Sequence, residues 1–342
     1  METKLLRGEQ DKDLQEAARL LCAGEIVAFP TETVYGLGAN ALDENAVHKI
    51  YQAKGRPSDN PLNVLIYDQA QLADLVSQVP DAAKKLMEAF WPGPLTLIFK
   101  CRPNAVPACV TGGLETIGVR MPNHPVALRL LQMTNLPIAA PSANLSGKPS
   151  PTAASHVQHD LEGRVAAIVS GGCCAVGVES TVLDISGEQP VILRPGSVTK
   201  EQLEEILGQP VYDAAADSSS QKTARPGLQY PHYAPEAPVY ICTGTPEEIA
   251  AKIDTQLEAH RGKAGVMLSS QTLRLLHRAD ENLAVNLGSR EDLKQIAGNL
   301  FAALRYFDEA DVEAIYTEDF PTEEIGAALM NRLRNAAGDK SV

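Results

Sequence analysis

The 342-residue chain carries a formal net charge of −13, with 44% hydrophobic and 21% charged residues, which is ordinary for a globular protein and long enough for about two domains of ~100–200 residues each. The acidic balance argues against a broad nucleic-acid footprint, which needs a basic face, and suits a protein that handles small molecules. No apolar run approaches the ~20 residues of a membrane span, and the opening METKLLRGEQDKD lacks the apolar centre of a signal peptide, so the expected location is the cytosol.

In chain order, residues 11–23 place Leu14, Ala17, Ala18 and Leu21 on one helical face, closed by Gly24. Glu25 to Phe29 is an apolar run that stops at Pro30 and predicts a buried strand. Thr31, Thr33 and Tyr35 then put hydroxyls into a short loop, and Gly36 and Gly38 are expected to let the backbone turn tightly or approach a ligand. Asp43 is placed to cap a helix carrying Ala46, Val47, Ile50, Tyr51 and Ala53, ending near Gly55 with Lys54 and Arg56 at its end.

Further strands are predicted at 63–67 and 95–100, the latter after a helix at 81–90 and a Trp91-Pro92-Gly93-Pro94 turn. Residues 110–121 hold a Gly-Gly turn and a strand ending at Arg120. The short strand 138–140 runs into Pro141-Ser142-Ala143-Asn144, which sets two polar side chains at a strand end, where open α/β sheets hold ligands. Strands follow at 165–169 and 181–185, with Glu179-Ser180 between them, then at 191–193, ending at Arg194-Pro195-Gly196; 199–207 reads as a helix. Some of these strands are joined by turns too short for a helix, which predicts a twisted mixed sheet with helices on its faces.

At 213–226 the composition shifts to small, polar residues without periodicity, a linker, followed by the proline- and aromatic-rich RPGLQYPHYAPEAP. Beyond it, strands at 239–242, 264–268, 283–287 and 312–316 alternate with helices near 246–258, 271–277, 290–307 and 322–335, a small Rossmann-like parallel α/β domain without the Gly-x-Gly-x-x-Gly fingerprint. The expected division is therefore 1–212, a linker and loop at 213–237, and 238–342.

The chain has no Walker phosphate loop, no Gly-x-Ser-x-Gly and no His-Glu-x-x-His. Its six cysteines form no Cys-x-x-Cys pair, so no zinc site is expected, and His156 and His159 read as part of a solvated helix face. What remains is a distributed set of cations and hydroxyls: Lys54, Arg56, Arg120, Arg194, Thr33, Ser142, Asn144 and Ser180. Phosphoryl and adenylyl transfer need such a set more than a nucleophile, because catalysis there is mostly positioning and charge stabilisation. Arginine serves best where a planar carboxylate or phosphate needs two contacts.

PTETVYGLG at 30–38, KGRP with DNPL at 54–62, WPGPLT at 91–96, the Ser142-x-Asn144 element and HYAP at 232–235 together resemble the YrdC-like family, the threonylcarbamoyl-AMP synthases, in its long form with a C-terminal extension domain. Gln229 and Pro231 depart from the family pattern, where basic residues are common, and Leu65 stands where histidine is frequent. The resemblance implies a nucleotidyltransferase that converts L-threonine, bicarbonate and ATP to threonylcarbamoyl-AMP, pyrophosphate and water. The product would pass to the tRNA threonylcarbamoyl transferase complex for modification of adenosine 37, with no stable nucleic-acid binding by this chain. By motif, Thr33, Leu65 (through its main chain), Arg120, Ala140 and Ser180 would contact threonine. Lys54, Arg56, Asn60, Thr116, Ser142, Asn144, Ser150 and Arg194 would contact ATP, with Tyr230 as a further contact. Lys54 and Arg56 would be the catalytic cations. Magnesium would arrive with ATP, without identified protein ligands, and the loop holding Tyr230, His232 and Tyr233 would act as a lid. The alternative is an RNA-binding module of the same fold. A carbamoyl transferase using carbamoyl phosphate is excluded by the cysteine spacing.

Overall fold

The structure, a computed structural model, describes residues 2–214, 233–260, 263–277, 283–338 and 340. The chain separates into two compact units, one of Met1–Ser146, Ser150–Ala175 and Glu179–Gln229, the other of Gly147–Pro149, Val176–Val178 and Tyr230–Val342.

In the first unit the strands are β1 (Lys4–Arg7), β2 (Val27–Phe29), β3 (Gly36–Asn40), β4 (Asn63–Leu65), β5 (Leu95–Lys100), β6 (Thr116–Arg120), β7 (Ile138–Ala139), β8 (Ala167–Ser170), β9 (Thr181–Asp184), β10 (Val191–Arg194) and β11 (Tyr212–Asp213). The helices are α1 (Asp11–Cys22), α2 (Glu44–Lys54), α3 (Leu72–Leu75), α4 (Asp81–Phe90), α5 (Ala108–Thr111), α6 (Pro125–Thr134), α7 (Ala154–Leu161) and α8 (Lys200–Leu207). The strands form one sheet in the order β1-β8-β2-β3-β7-β4-β6-β5-β9-β10-β11. It is mixed, as the short connections predict: β2 and β3, joined by the tight segment 30–35, pair antiparallel, whereas β4 and β6 pair parallel.

Both faces of the sheet are covered, which explains the unbroken apolar run at β2. Ile26 and Ala28 face one core with Leu37, Val47 and Ile50, while Val27 and Phe29 face the other with Leu14, Leu21 and Leu130. The alternation is that of an extended strand.

Gly36 and Gly38 do not make the expected turn. They lie within β3, where a Cβ on Gly38 would stand 2.6 Å from Phe29 Cε1 and 2.9 Å from Ile138 Cγ2. Glycine is needed there so that the Phe29 ring can lie across the strand pair. Asp43 caps α2 as expected, its Oδ1 accepting from Asn45 N (3.0 Å) and Ala46 N (3.3 Å), and the helix closes on Gly55 at φ +61°. His156 is not simply solvated: it sits on α7 and its Nδ1 accepts from Thr152 N at 3.2 Å, whereas His159 is exposed. All six cysteines are free thiols.

The second unit holds β12 (Val239–Cys242), α9 (Pro246–His260), β13 (Ala264–Ser269), α10 (Ser270–Leu273), β14 (Ala284–Gly288), α11 (Leu293–Ala310), β15 (Ala314–Glu318) and α12 (Ile325–Ala337). Its sheet, β12-β15-β13-β14, is parallel throughout. The helix expected over 271–277 is the single turn α10, started by Ser269, whose Oγ accepts from Thr272 N. Of the expected linker, Asp213 instead belongs to β11 and Ala214 is buried; the rest of it and most of the expected lid loop, with Tyr230, Gln229, Pro231 and His232, lie outside the described residues. Tyr233 is described: its ring packs against Phe301 with centroids 5.1 Å apart. No helix among the described residues is long and apolar enough to cross a membrane.

Candidate active site

Two groups of the expected site residues come together within the first unit. The first is built on Lys54, the last residue of α2, whose side chain is buried to 3% exposure. Its Nζ donates to the carbonyls of Ser142 and Asn144, each at 2.5 Å. One buried ammonium thus gathers the turn that follows β7, and Ser146 N returns a hydrogen bond to Lys54 O at 2.9 Å. Arg56 Nη2 donates to Pro61 O at 3.1 Å and closes the loop that holds Asn60. The Tyr51 hydroxyl lies 3.1 Å from Asn60 O and 2.7 Å from Cys109 O; burial pushes its pKa up to about 12, so it remains a neutral donor.

The second group centres on Arg120, which ends β6 and is buried. Its Nη1 donates to Thr33 Oγ1 (3.0 Å), its Nε to Gly93 O (3.2 Å), and its Nη2 lies 2.6 Å from Glu32 Oε2. The Trp91–Pro94 turn is what presents the Gly93 carbonyl, with Gly93 N fixed on Met121 O at 2.8 Å. Leu65 stands directly beside Arg120 in the β4–β6 ladder, and Ala140 N donates to Asn63 O at 2.8 Å. Ser180 Oγ lies 2.8 Å from Thr96 Oγ1 and accepts from Arg194 Nη2 at 3.2 Å, the guanidinium also reaching Ser180 O. Gly196 makes this possible: a Cβ there would stand 2.2 Å from Thr181 N and 2.7 Å from Glu179 O. Ser150 Oγ donates to Glu179 Oε1 at 2.5 Å.

Thr116 stands apart. It opens β6 opposite Lys100, at the other end of the strand from Arg120, roughly 13 Å away at an extended rise per residue.

The architecture has known counterparts. The Telomere recombination profile (Sua5_yciO_yrdC) matches residues 19–196, and the profile of the threonylcarbamoyl-AMP synthase C-terminal domain matches 198–338. Over 332 residues the chain is 51% identical to the threonylcarbamoyl-AMP synthase of Bacillus subtilis, covering 97% of this chain and 95% of that one. With the Pyrococcus abyssi synthase it shares 46% over 326 residues, covering 94% and 93%. The crystal structure of P. abyssi Sua5 complexed with L-threonine superposes with a TM-score of 0.90 at 41% identity, covering 100% of this chain and 99% of that one.

The chain belongs to the threonylcarbamoyl-AMP synthase family.

Three side chains not singled out from the sequence adjoin these groups. Glu32 is 7% exposed, and neither of its oxygens accepts a well-directed hydrogen bond beyond the ion contact to Arg120. Glu179 is 6% exposed and holds Ser150. His124 is half-buried, its Nδ1 has no hydrogen-bond partner, and burial lowers its pKa against the opposing pull of Glu32. Glu32 lies between Thr31 and Thr33 just after β2, and Glu179 between Val178 and Ser180 just before β9, but neither setting by itself marks a buried carboxylate.

A magnesium ion bound by the synthase itself would need several oxygen ligands. Among the described residues neither Glu32 nor Glu179 joins a group of three metal-type donors, so the residues do not fit a protein-held magnesium. Among the described residues one group of metal-type donors comes together, Glu44, His48 and Cys109 with ligand atoms within 4.8 Å of one another, and its thiol and imidazole do not suit magnesium either.

Proposed function

We propose that this synthase makes threonylcarbamoyl-AMP and pyrophosphate from L-threonine, bicarbonate and ATP, as a nucleotidyltransferase of the cytoplasm, and hands the product to the tRNA threonylcarbamoyl transferase complex. The threonine amine is first carboxylated, and a carbamate oxygen then attacks the α-phosphorus of ATP as pyrophosphate leaves. In this reading Arg120 receives the threonine carboxylate, a planar two-point acceptor that matches its fork. Thr33 and Ser180 supply hydroxyls to the amino acid, and Leu65 and Ala140 supply main-chain groups and a wall. Lys54 and Arg56 stabilise charge developing on the phosphates. Asn60, Ser142, Asn144, Ser150 and Arg194 hold the nucleotide, with Thr116, at the far end of β6, and Tyr230 as further contacts. Magnesium would enter on the ATP phosphates, neutralising them, with water filling its other positions.

The observation that carries the reading is the convergence of Arg120, Thr33 and Glu32 in one buried cluster, drawn from segments 87 positions apart. An amino acid is a zwitterion, and the cluster offers both a buried cation and a buried anion. RNA binding has no comparable support, since it calls for an exposed basic surface.

The test is a pyrophosphate-release assay on the full-length protein. Release is expected only when threonine and bicarbonate are both present. ATP consumption unaffected by omitting threonine would contradict the reading.

A further inference from the structure

We propose that Glu32 receives the amino group of L-threonine and removes its proton, converting the ammonium ion into the amine that attacks bicarbonate; this rests on the threonine reading given above. Free threonine carries an ammonium group near neutral pH, and an ammonium nitrogen has no lone pair with which to attack carbon. Some group must therefore take a proton before the carbon–nitrogen bond can form.

Glu32 has the position and the spare capacity. It precedes Thr33 in the chain, and its Oε2 is 2.6 Å from Arg120 Nη2. The pair is sealed from solvent, Glu32 at 7% and Arg120 at 6% exposure. A carboxylate has about four lone-pair sites. A buried carboxylate is expected to fill most of them, yet neither Glu32 oxygen accepts a well-directed hydrogen bond. Arg120, in contrast, already donates to Thr33 Oγ1 and Gly93 O. The cation is therefore fixed in place by neutral groups, while the anion beside it has room for a donor. Threonine brings one: its carboxylate pairs with Arg120, and its ammonium fills the vacancy on Glu32. A buried ion pair that would be costly by itself is then matched by a ligand of complementary charge.

The groups facing Glu32 are Arg120 from β6, His124 at the start of α6, and Cys174 from the segment after β8. Burial lowers the His124 pKa and pushes the Cys174 thiol up to about 12, so both are neutral near pH 7. Neither competes with the ammonium for Glu32 as a cation. His124, with its unpartnered Nδ1, is able to accept the proton in turn.

The step balances. The ammonium gives one proton to the Glu32 carboxylate, leaving a free amine and a carboxylic acid. The amine nitrogen bonds to the carbon of bicarbonate, and a carbon–oxygen bond of the bicarbonate breaks. The amine proton and the departing hydroxide leave as water, and the threonine carbamate remains.

The test uses full-length protein, Glu32→Gln and Glu32→Asp variants, and initial rates of pyrophosphate release across pH. Near neutral pH, Glu32→Gln should use threonine at least ~100-fold less well, the scale of losing general-base help, with an unchanged constant for ATP. Its rate should climb about tenfold per pH unit, because only the free amine reacts and its fraction grows tenfold per unit below its own pKa. The wild type should lack that slope, and Glu32→Asp should recover part of the neutral rate. A Glu32→Gln enzyme with the wild-type pH profile would overturn the proposal, since a purely structural role would lower rates evenly across pH. A second measurement needs no variant. Threonine with a hydroxyl in place of its amino group should bind the wild type ~10–100-fold more weakly by calorimetry, the scale of one charge-assisted hydrogen bond. Equal binding would also overturn the proposal. Absence of threonine binding to the wild type would instead sink the threonine reading itself.

Discussion

An Arg120→Ala variant is expected to lose at least ~100-fold in threonine-dependent turnover and to be destabilised by about 3–5 kcal/mol. Both losses come from one geometry. Arg120 is the counter-charge of a carboxylate that is 7% exposed, so truncating it leaves Glu32 charged, buried and unpaired. It also removes the donors that hold Thr33 Oγ1 and Gly93 O, and with them the fork proposed to receive the threonine carboxylate. Denaturant unfolding measures the first effect, and the threonine dependence of pyrophosphate release measures the second. Arg120→Lys separates them. It keeps the positive charge beside Glu32, so stability should largely return, but a single ammonium does not reproduce a planar two-point contact, so threonine use should stay low. An alanine variant of native stability that uses threonine normally would mean that Arg120 is a peripheral ion pair.

The second large effect is expected at Lys54. A Lys54→Met variant keeps the length of the aliphatic stem and deletes the ammonium. The carbonyls of Ser142 and Asn144 then lose their 2.5 Å donor, at about 1–3 kcal/mol for each acceptor left unsatisfied. The turn that follows β7 loosens, and the proposed ATP-binding side loses a fixed positive charge. Turnover should fall by at least ~100-fold, the scale found when one preorganised electrostatic donor is removed. Threonine binding by calorimetry should survive, because among the described residues Arg120 is held by Thr33 Oγ1 and Gly93 O, whereas Lys54 donates to Ser142 O and Asn144 O. Equal loss of threonine and ATP binding would show that the two clusters are not separable.

The two predictions draw on different degrees of legibility. Lys54 was readable from the chain: a capping aspartate, an apolar periodicity and a glycine stop fix α2 and leave its last residue at the helix end. The apolar runs located most strands to within two residues, and the short connections between them announced a mixed sheet. Gly36 and Gly38 are open to two readings, a tight turn or a close approach to a ligand; the turn does not form because both lie in β3, where the missing side chain of Gly38 admits the Phe29 ring. That requirement depends on a neighbouring strand and leaves no local trace. Glu32 and Glu179 were hidden for a similar reason. A carboxylate reads as surface charge until its partner is known, and the partners lie 88 positions on at Arg120 and 29 positions back at Ser150. β1 was overlooked because three of its four residues are exposed and its partner, β8, comes late in the chain. In the second unit α10 ends at Leu273, short of the expected 277, although Leu276 packs against the same core as Leu273.

Whether the chain makes threonylcarbamoyl-AMP is decided by following the carbon of bicarbonate. Full-length protein is incubated with ATP, threonine and 13C-bicarbonate, and the nucleotide products are separated and weighed by mass spectrometry. The expected product is an AMP adduct that contains threonine together with the labelled carbon, formed in step with pyrophosphate. ADP and phosphate, or an AMP–threonine adduct that carries no label, would contradict it.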